Sequence, residues 1–315
     1  MIAAQEGHFP VVMTLLAVDA AIAARETEFF QTVLHFAVTG GHDGIAMALL
    51  RAGAGKDSQD AFGQTPLITL AGHGHLPFVE ALLTTGASLS LECVNTFSLA
   101  DDPGCTAIHV AASEGHDGAV IALFRGGAHA NEQDKNQQTP LYMAARGGHL
   151  SVVENLVEAD ANPNARSVEG DSKSALDHAA SLGHVLMIKP PVDGGADVNA
   201  HHRGRSALHF AGLNDRPGAI AALIEAGGET ELKMLSDEYA AEESVIAAVD
   251  RRSGSTPLLS AASGARGKAM EVLLQHGAAV NAQDDNGHSP LHLVCAASRR
   301  ADAEEAVAIL AAVGS

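Results

Sequence analysis

A phrase of about 33 residues returns eight times along this chain, and that period constrains the fold more than anything else in it. Each copy opens on Thr-Pro-Leu-His or a near variant, passes through Ala-Ala-x-x-Gly-His, and closes on Leu-Leu-x-x-Gly-Ala. Fixed periods of this size belong to stacked-repeat folds, where each unit buries its apolar face only against its neighbours. The copy at Thr139 shows the local physics. The Thr139 hydroxyl is placed to cap a helix, and Pro140 occupies the first helical position, where a missing N–H costs nothing. Leu141, Ala144 and Ala145 share one helical face. Gly148 is suited to end that helix in a left-handed conformation. A second helix is expected from His149, burying Leu150, Val153, Leu156 and Val157, and residues 159–172 read as a turn-rich connection. Neither helix is long enough to stand alone.

The opening motif recurs as Thr32-Val33-Leu34-His35, Thr65-Pro66-Leu67-Ile68, Thr106-Ala107-Ile108-His109 and Thr139-Pro140-Leu141-Tyr142. It continues as Ser174-Ala175-Leu176-Asp177, Ser206-Ala207-Leu208-His209, Thr256-Pro257-Leu258-Leu259 and Ser289-Pro290-Leu291-His292. Ala3-Ala4-Gln5-Glu6-Gly7-His8 adds the middle of a ninth, partial unit. With the Gly-His and Gly-Ala-Asp-x-Asn segments, the pattern resembles the ankyrin repeat over nearly the whole chain. The resemblance implies an all-α solenoid of helix-turn-helix units with hairpin-like loops. It also implies a non-catalytic scaffold or adaptor that holds a partner protein in a concave groove and on loop fingers. The alternative it leaves open is a regulatory or targeting part of a larger enzyme, channel or effector. A single array is expected over 1–315, with units at 1–31 (partial), 32–64, 65–105, 106–138, 139–172, 173–204, 205–253, 254–287 and 288–315.

Successive starts are 33, 41, 33, 35, 32, 50 and 33 residues apart, so two units carry inserts, within 90–105 and at 229–253. Both fall between helices, where added residues are tolerated. The second insert is acidic, and its residues 236–249 read as a short extra helix on the rim, with Tyr239, Val245, Ile246 and Val249 as apolar contacts. The chain begins inside a repeat and stops after a second helix, which suggests a fragment or a degenerate cap.

Net charge is −19. An acidic chain repels phosphate, so nucleic acid is not an expected partner and a basic protein fits better. No apolar run approaches the roughly 20 residues of a membrane span, and the first residues read as repeat rather than as a signal peptide. Three cysteines without C-x-x-C spacing point to a reducing interior, cytoplasmic or nuclear, and not to zinc. No cofactor is expected, and the chain is expected to be monomeric.

Of the 17 histidines, His8, His42, His75, His116, His149 and His184 hold the Gly-His position, and His35, His109, His209 and His292 the fourth motif position. One repeat apart, they read as scaffold and not as metal ligands. No Ser-His-Asp order, glycine-rich phosphate loop or H-E-x-x-H string appears. The ankyrin resemblance implies that partner-binding residues lie at loop tips and on the exposed side of first helices, here Phe62, Gln64, Lys135, Asn136, Tyr142, Arg146, His201, His202, Arg203, Arg205, Asp285 and Asn286. Aromatic and Arg side chains dominate binding hot spots, which singles out Phe62, Tyr142, Arg146, Arg203 and Arg205. Tyr142 has a second reading as a replacement for the motif His.

Two further expectations concern departures and loops. Pro190-Pro191 falls where the second helix of its unit should have its middle, so that helix should break or shorten near Lys189. Asn199 and Asn281 lie in Asp/Ala-Val-Asn loops that resemble asparaginyl-hydroxylase sites, although an Asn fixing the turn through its side chain is the simpler role.

Overall fold

The computed structural model describes residues 1–18, 21–94, 103–168, 172–201, 204–231, 233, 254–297 and 300–314. The expected helix at 236–249 lies outside them. The chain divides into two compact units, Met1–Ala161 and Asn162–Ser315. Among the described residues the regular structure is helical, and only three isolated β-bridges occur, Arg25 with Thr32, Cys93 with Cys105 and Arg166 with Ser174.

The first unit contains helix pairs Ile2–Gln5/Phe9–Ala17, Val33–Thr39/Asp43–Arg51, Pro66–His73/Leu76–Thr84, Ala107–Glu114/Asp117–Arg125 and Pro140–Gly147/Leu150–Glu158. First helices stack on first helices, through the small residues Ala71, Ala111, Ala112, Ala144 and Ala145, all buried. The second unit repeats the arrangement with Ala175–Leu182, Ala207–Leu213/Pro217–Glu225, Pro257–Ser263/Gly267–Gln275 and Pro290–Ala296/Arg300–Gly314. Its core centres on Leu208, Ile220, Leu223, Leu258, Leu259, Met270 and Leu273.

The helix starts follow the capping logic of the motif. Thr65, Thr139, Thr256 and Ser174 each accept a backbone N–H from the residue three positions on. In the Leu150–Glu158 helix the buried stripe is Val152, Val153 and Leu156, while the expected Leu150 and Val157 are only half-buried.

Gly115 closes helix Ala107–Glu114 at φ 77°. A Cβ there would sit 2.3 Å from His149 Nδ1, whose ring passes over this turn to bond the Ser113 carbonyl through Nε2 at 2.8 Å. Gly115→Ala therefore meets both left-handed strain and displacement of His149. A loss of about 2–3 kcal/mol is expected, measurable by urea unfolding, and an unchanged midpoint would refute this account.

The second helix at Pro190 is interrupted, as its prolines require. Val185–Met187 forms a 3-10 turn, and a new helix runs only from Lys189 to Asp193. Pro190 and Pro191 lie in the first turn of that short helix, where no intrahelical N–H is needed. A hollow of about 330 Å³ accompanies the interruption, with Val185, Ile188, Val192, Ala222 and Ala226 among its lining residues.

Candidate functional site

The loop fingers are built from one repeated device. Asp60 Oδ1 accepts the backbone N–H groups of Phe62 and Gln64, both at 2.9 Å. Asp134 does the same for Asn136 and Gln138, and Asp284 for Asn286 and His288. Each carboxylate thus folds its tip without help from a partner. Burial pushes the Asp284 carboxyl up, but bonds from the His288 N–H and ring and from the Asn286 N–H outweigh it, and the net direction is down.

Fingers of the first unit are also tied tip to tip. Ala61 N–H donates to the Phe29 carbonyl at 2.7 Å, Val94 N–H to the Phe62 carbonyl at 2.7 Å, and Lys135 N–H to the Pro103 carbonyl at 3.1 Å. This register places the half-buried Phe62 ring against Phe29, with centroids 5.8 Å apart and planes 24° from parallel. Phe29, its neighbour Phe30 and Val94, whose N–H bonds the Phe62 carbonyl, are 39%, 51% and 54% exposed. Phe30 adopts φ 56°, an uncommon conformation for a bulky side chain and one that marks the tip. Phe29 and Phe30 escaped the sequence reading because they precede the first full motif. Their adjacency as Phe-Phe just before Thr32 was the available signal.

The remaining candidates distribute as follows. Gln64 is half-buried, and its carbonyl receives His35 Nε2 at 3.1 Å. Lys135 is exposed, with Nζ 4.0 Å from Glu92, an ion pair of little energetic weight at such exposure. Asn136 is held through its backbone by Asp134. Tyr142 is buried, and Arg146 lies 5.9 Å from its ring centre while donating to Gln138 Oε1 at 3.2 Å. These residues share the first unit. In the second, His201 Nδ1 lies 3.4 Å from the Gly204 carbonyl, Arg205 is half-buried, and Asp285 and Asn286 are exposed. His202 and Arg203 lie outside the described residues.

The histidines act between repeats. In the first unit His42, His116 and His149 reach back to the carbonyls of Gln5, Gly72 and Ser113. Two repeats of the second unit fill the same place with arginine: Arg216 Nε donates to the Ser181 carbonyl at 3.1 Å and Arg266 Nε to the Leu213 carbonyl at 3.2 Å. The Gly-His motif does not reveal this substitution. The Asp215-Arg216 and Ala265-Arg266 pairs, with φ 54° at Asp215 and 52° at Ala265, carry the same geometry.

At the fourth motif position, His35, His109 and His209 each accept their N-cap N–H on Nδ1 and direct Nε2 to the next loop. Burial lowers the pKa of His35, and lowers His209 to about 4. Asp177 supplies a carboxylate in the same role, accepting the Ser174 N–H at 2.9 Å.

Asn199 is engaged at both ends, donating to the Gly227 carbonyl at 3.1 Å and accepting the Glu229 N–H at 2.9 Å. Asn164 makes the equivalent pair with Gly195 and Asp197. The side chain thus braces the following loop rather than its own turn.

Comparison with known proteins converges on one family. A profile for ankyrin repeats in three copies matches residues 1–93 and again 88–167, and a single-repeat profile matches 253–285. The B-cell lymphoma 3 protein homolog of Mus musculus is 34% identical over 170 residues, 53% of this chain and 36% of that protein. The transient receptor potential cation channel subfamily A member 1 of Homo sapiens is 26% identical over 227 residues, 62% of this chain and 20% of the channel. This chain therefore spans 36% or less of the length of these two relatives. Among solved structures, the human ASB11 ankyrin repeat domain superposes with a TM-score of 0.60 at 21% identity, covering 78% of this chain and 98% of that one. No described helix is long and apolar enough to cross a membrane.

Proposed function

The chain belongs to the ankyrin-repeat family, and from that premise we propose that it is a non-catalytic module binding a partner protein through its fingers and first-helix faces. The observation that carries this reading is the exposed Phe29 stacked on the half-buried Phe62, with Phe30 and Val94 also exposed on the same fingers, which tip-to-tip hydrogen bonds hold in register in the first unit. Aromatic side chains already ordered on a rigid frame lose little entropy on binding. With a net charge of −19, a basic partner is favoured by long-range attraction. The cysteine usage fits work in a reducing compartment, cytoplasmic or nuclear, by a monomeric chain.

The test is affinity capture with chemical crosslinking, comparing the native chain with Phe62→Ala. Loss of the crosslinked partner is expected, with affinity reduced roughly 30-fold, about 2 kcal/mol, as for an aromatic hot spot. The half-exposed position should leave the unfolding midpoint nearly unchanged. Capture of the same partner with equal affinity by both forms would place recognition elsewhere.

A second reading rests on the relatives' lengths. Both are much longer than this chain, and one is named as a cation channel subunit. The array would then act as a regulatory or targeting part of a larger protein. Sequencing the complete reading frame separates the two.

A further inference from the structure

Cys93 and Cys105 are twelve residues apart in sequence, at the two ends of the first insert's base, and are both buried. They face one another across an antiparallel β-bridge. Cys93 N–H donates to the Cys105 carbonyl at 2.9 Å, and Gly104 N–H to the Cys93 carbonyl at 2.8 Å. Facing residues of an antiparallel pair hold their Cα atoms about 4.5–5.5 Å apart, within the roughly 4.4–6.8 Å Cα separation that a disulfide spans. The flanking residues anchor both sides: Val94 bonds the Phe62 finger, and Pro103 the Lys135 finger.

We propose that this pair is an oxidative modification site, at which hydrogen peroxide joins Cys93 to Cys105 in an intramolecular disulfide across the base of the insert. A hydrogen bond from the Cys105 thiol lowers the Cys93 thiol from its ordinary value, although burial pushes it up. Cys93 is therefore the attacking thiolate. Its sulfur forms an S–O bond as the peroxide O–O bond breaks, and the departing hydroxide takes a proton and leaves as water. The Cys105 thiolate then attacks the Cys93 sulfenic sulfur, so that S–S forms, S–O breaks and hydroxide leaves as a second water. Two thiols lose two electrons, and one peroxide becomes two waters.

The experiment treats the folded full chain with excess hydrogen peroxide, alkylates it after denaturation, and maps the peptides by mass. Expected is a linked pair of Cys93 and Cys105 peptides, lighter by about 2 Da than the two thiol forms together, monomeric on a non-reducing gel and restored by dithiothreitol. Cys295, exposed, is the internal comparison. Its replacement, Cys295→Ser, should leave the link intact, whereas Cys93→Ser should abolish it. Recovery of Cys93 and Cys105 alkylated, carried as separate sulfinic acids, or linked to Cys295 would overturn the proposal.

Discussion

Phe78→Ala is expected to destabilise the Met1–Ala161 unit by about 3–5 kcal/mol, the usual range for emptying a fully packed aromatic site. Phe78 lies in helix Leu76–Thr84 beside Val79 and Leu82, and all three are buried. A chain with no tryptophan and 3% aromatic residues depends on few side chains of this volume, so small neighbours cannot fill the void. In a stacked array each repeat leans only on those adjacent to it, which confines the damage. Hydrogen exchange should therefore accelerate in peptides of the first unit while those of Asn162–Ser315 keep their protection. Uniform acceleration through both units would show that they unfold as one, and the expectation would fail.

Acid is expected to destabilise the second unit by about 3 kcal/mol through His209 alone. The ring is buried in helix Ala207–Leu213. Nδ1 accepts the Ser206 N–H at 3.2 Å and the Ser206 hydroxyl at 2.9 Å, and Nε2 donates to the Ser255 carbonyl at 3.0 Å. Burial, only partly offset by the Ser255 bond, lowers its pKa from 6.5 to about 4. The sign follows from proton binding. Between those two values the unfolded chain takes up a proton that the folded ring refuses. Stability is therefore complete above pH 6.5 and falls as pH drops towards 4. His35, also lowered by burial, acts in the same direction in the first unit. Urea unfolding at pH 7.5 and pH 4.5 measures the loss. His209→Gln should be less stable at neutral pH yet show a visibly flatter pH profile. An identical pH dependence in the variant would refute the assignment.

Much of this protein is legible in its amino-acid sequence. Thr65 with Pro66, or Thr139 with Pro140, specifies a helix start through local bonding alone, and the caps form as the motif requires. Pro190-Pro191 signalled its interruption because a proline's missing N–H acts within one turn of helix. The scaffold role of His35, His109 and His209 was legible because each position recurs at the repeat spacing. Arg216 and Arg266 were not, since a guanidinium reaching a carbonyl 35 and 53 residues away has no local pattern. The Phe29–Phe62 stack was hidden for the same reason, its partners lying on successive fingers.

The amino-acid sequence by itself determined the repeat, its helix pairs, their caps and the broken helix, because those depend on interactions within a few residues or on strict periodicity. Only the tertiary structure decided which side chains meet: the Phe29–Phe62 stack of the first unit, and the Cys93–Cys105 pair facing across the insert's base. Such meetings depend on the register of loops brought together by stacking, and a loop's register is set by contacts far along the chain rather than by its own residues.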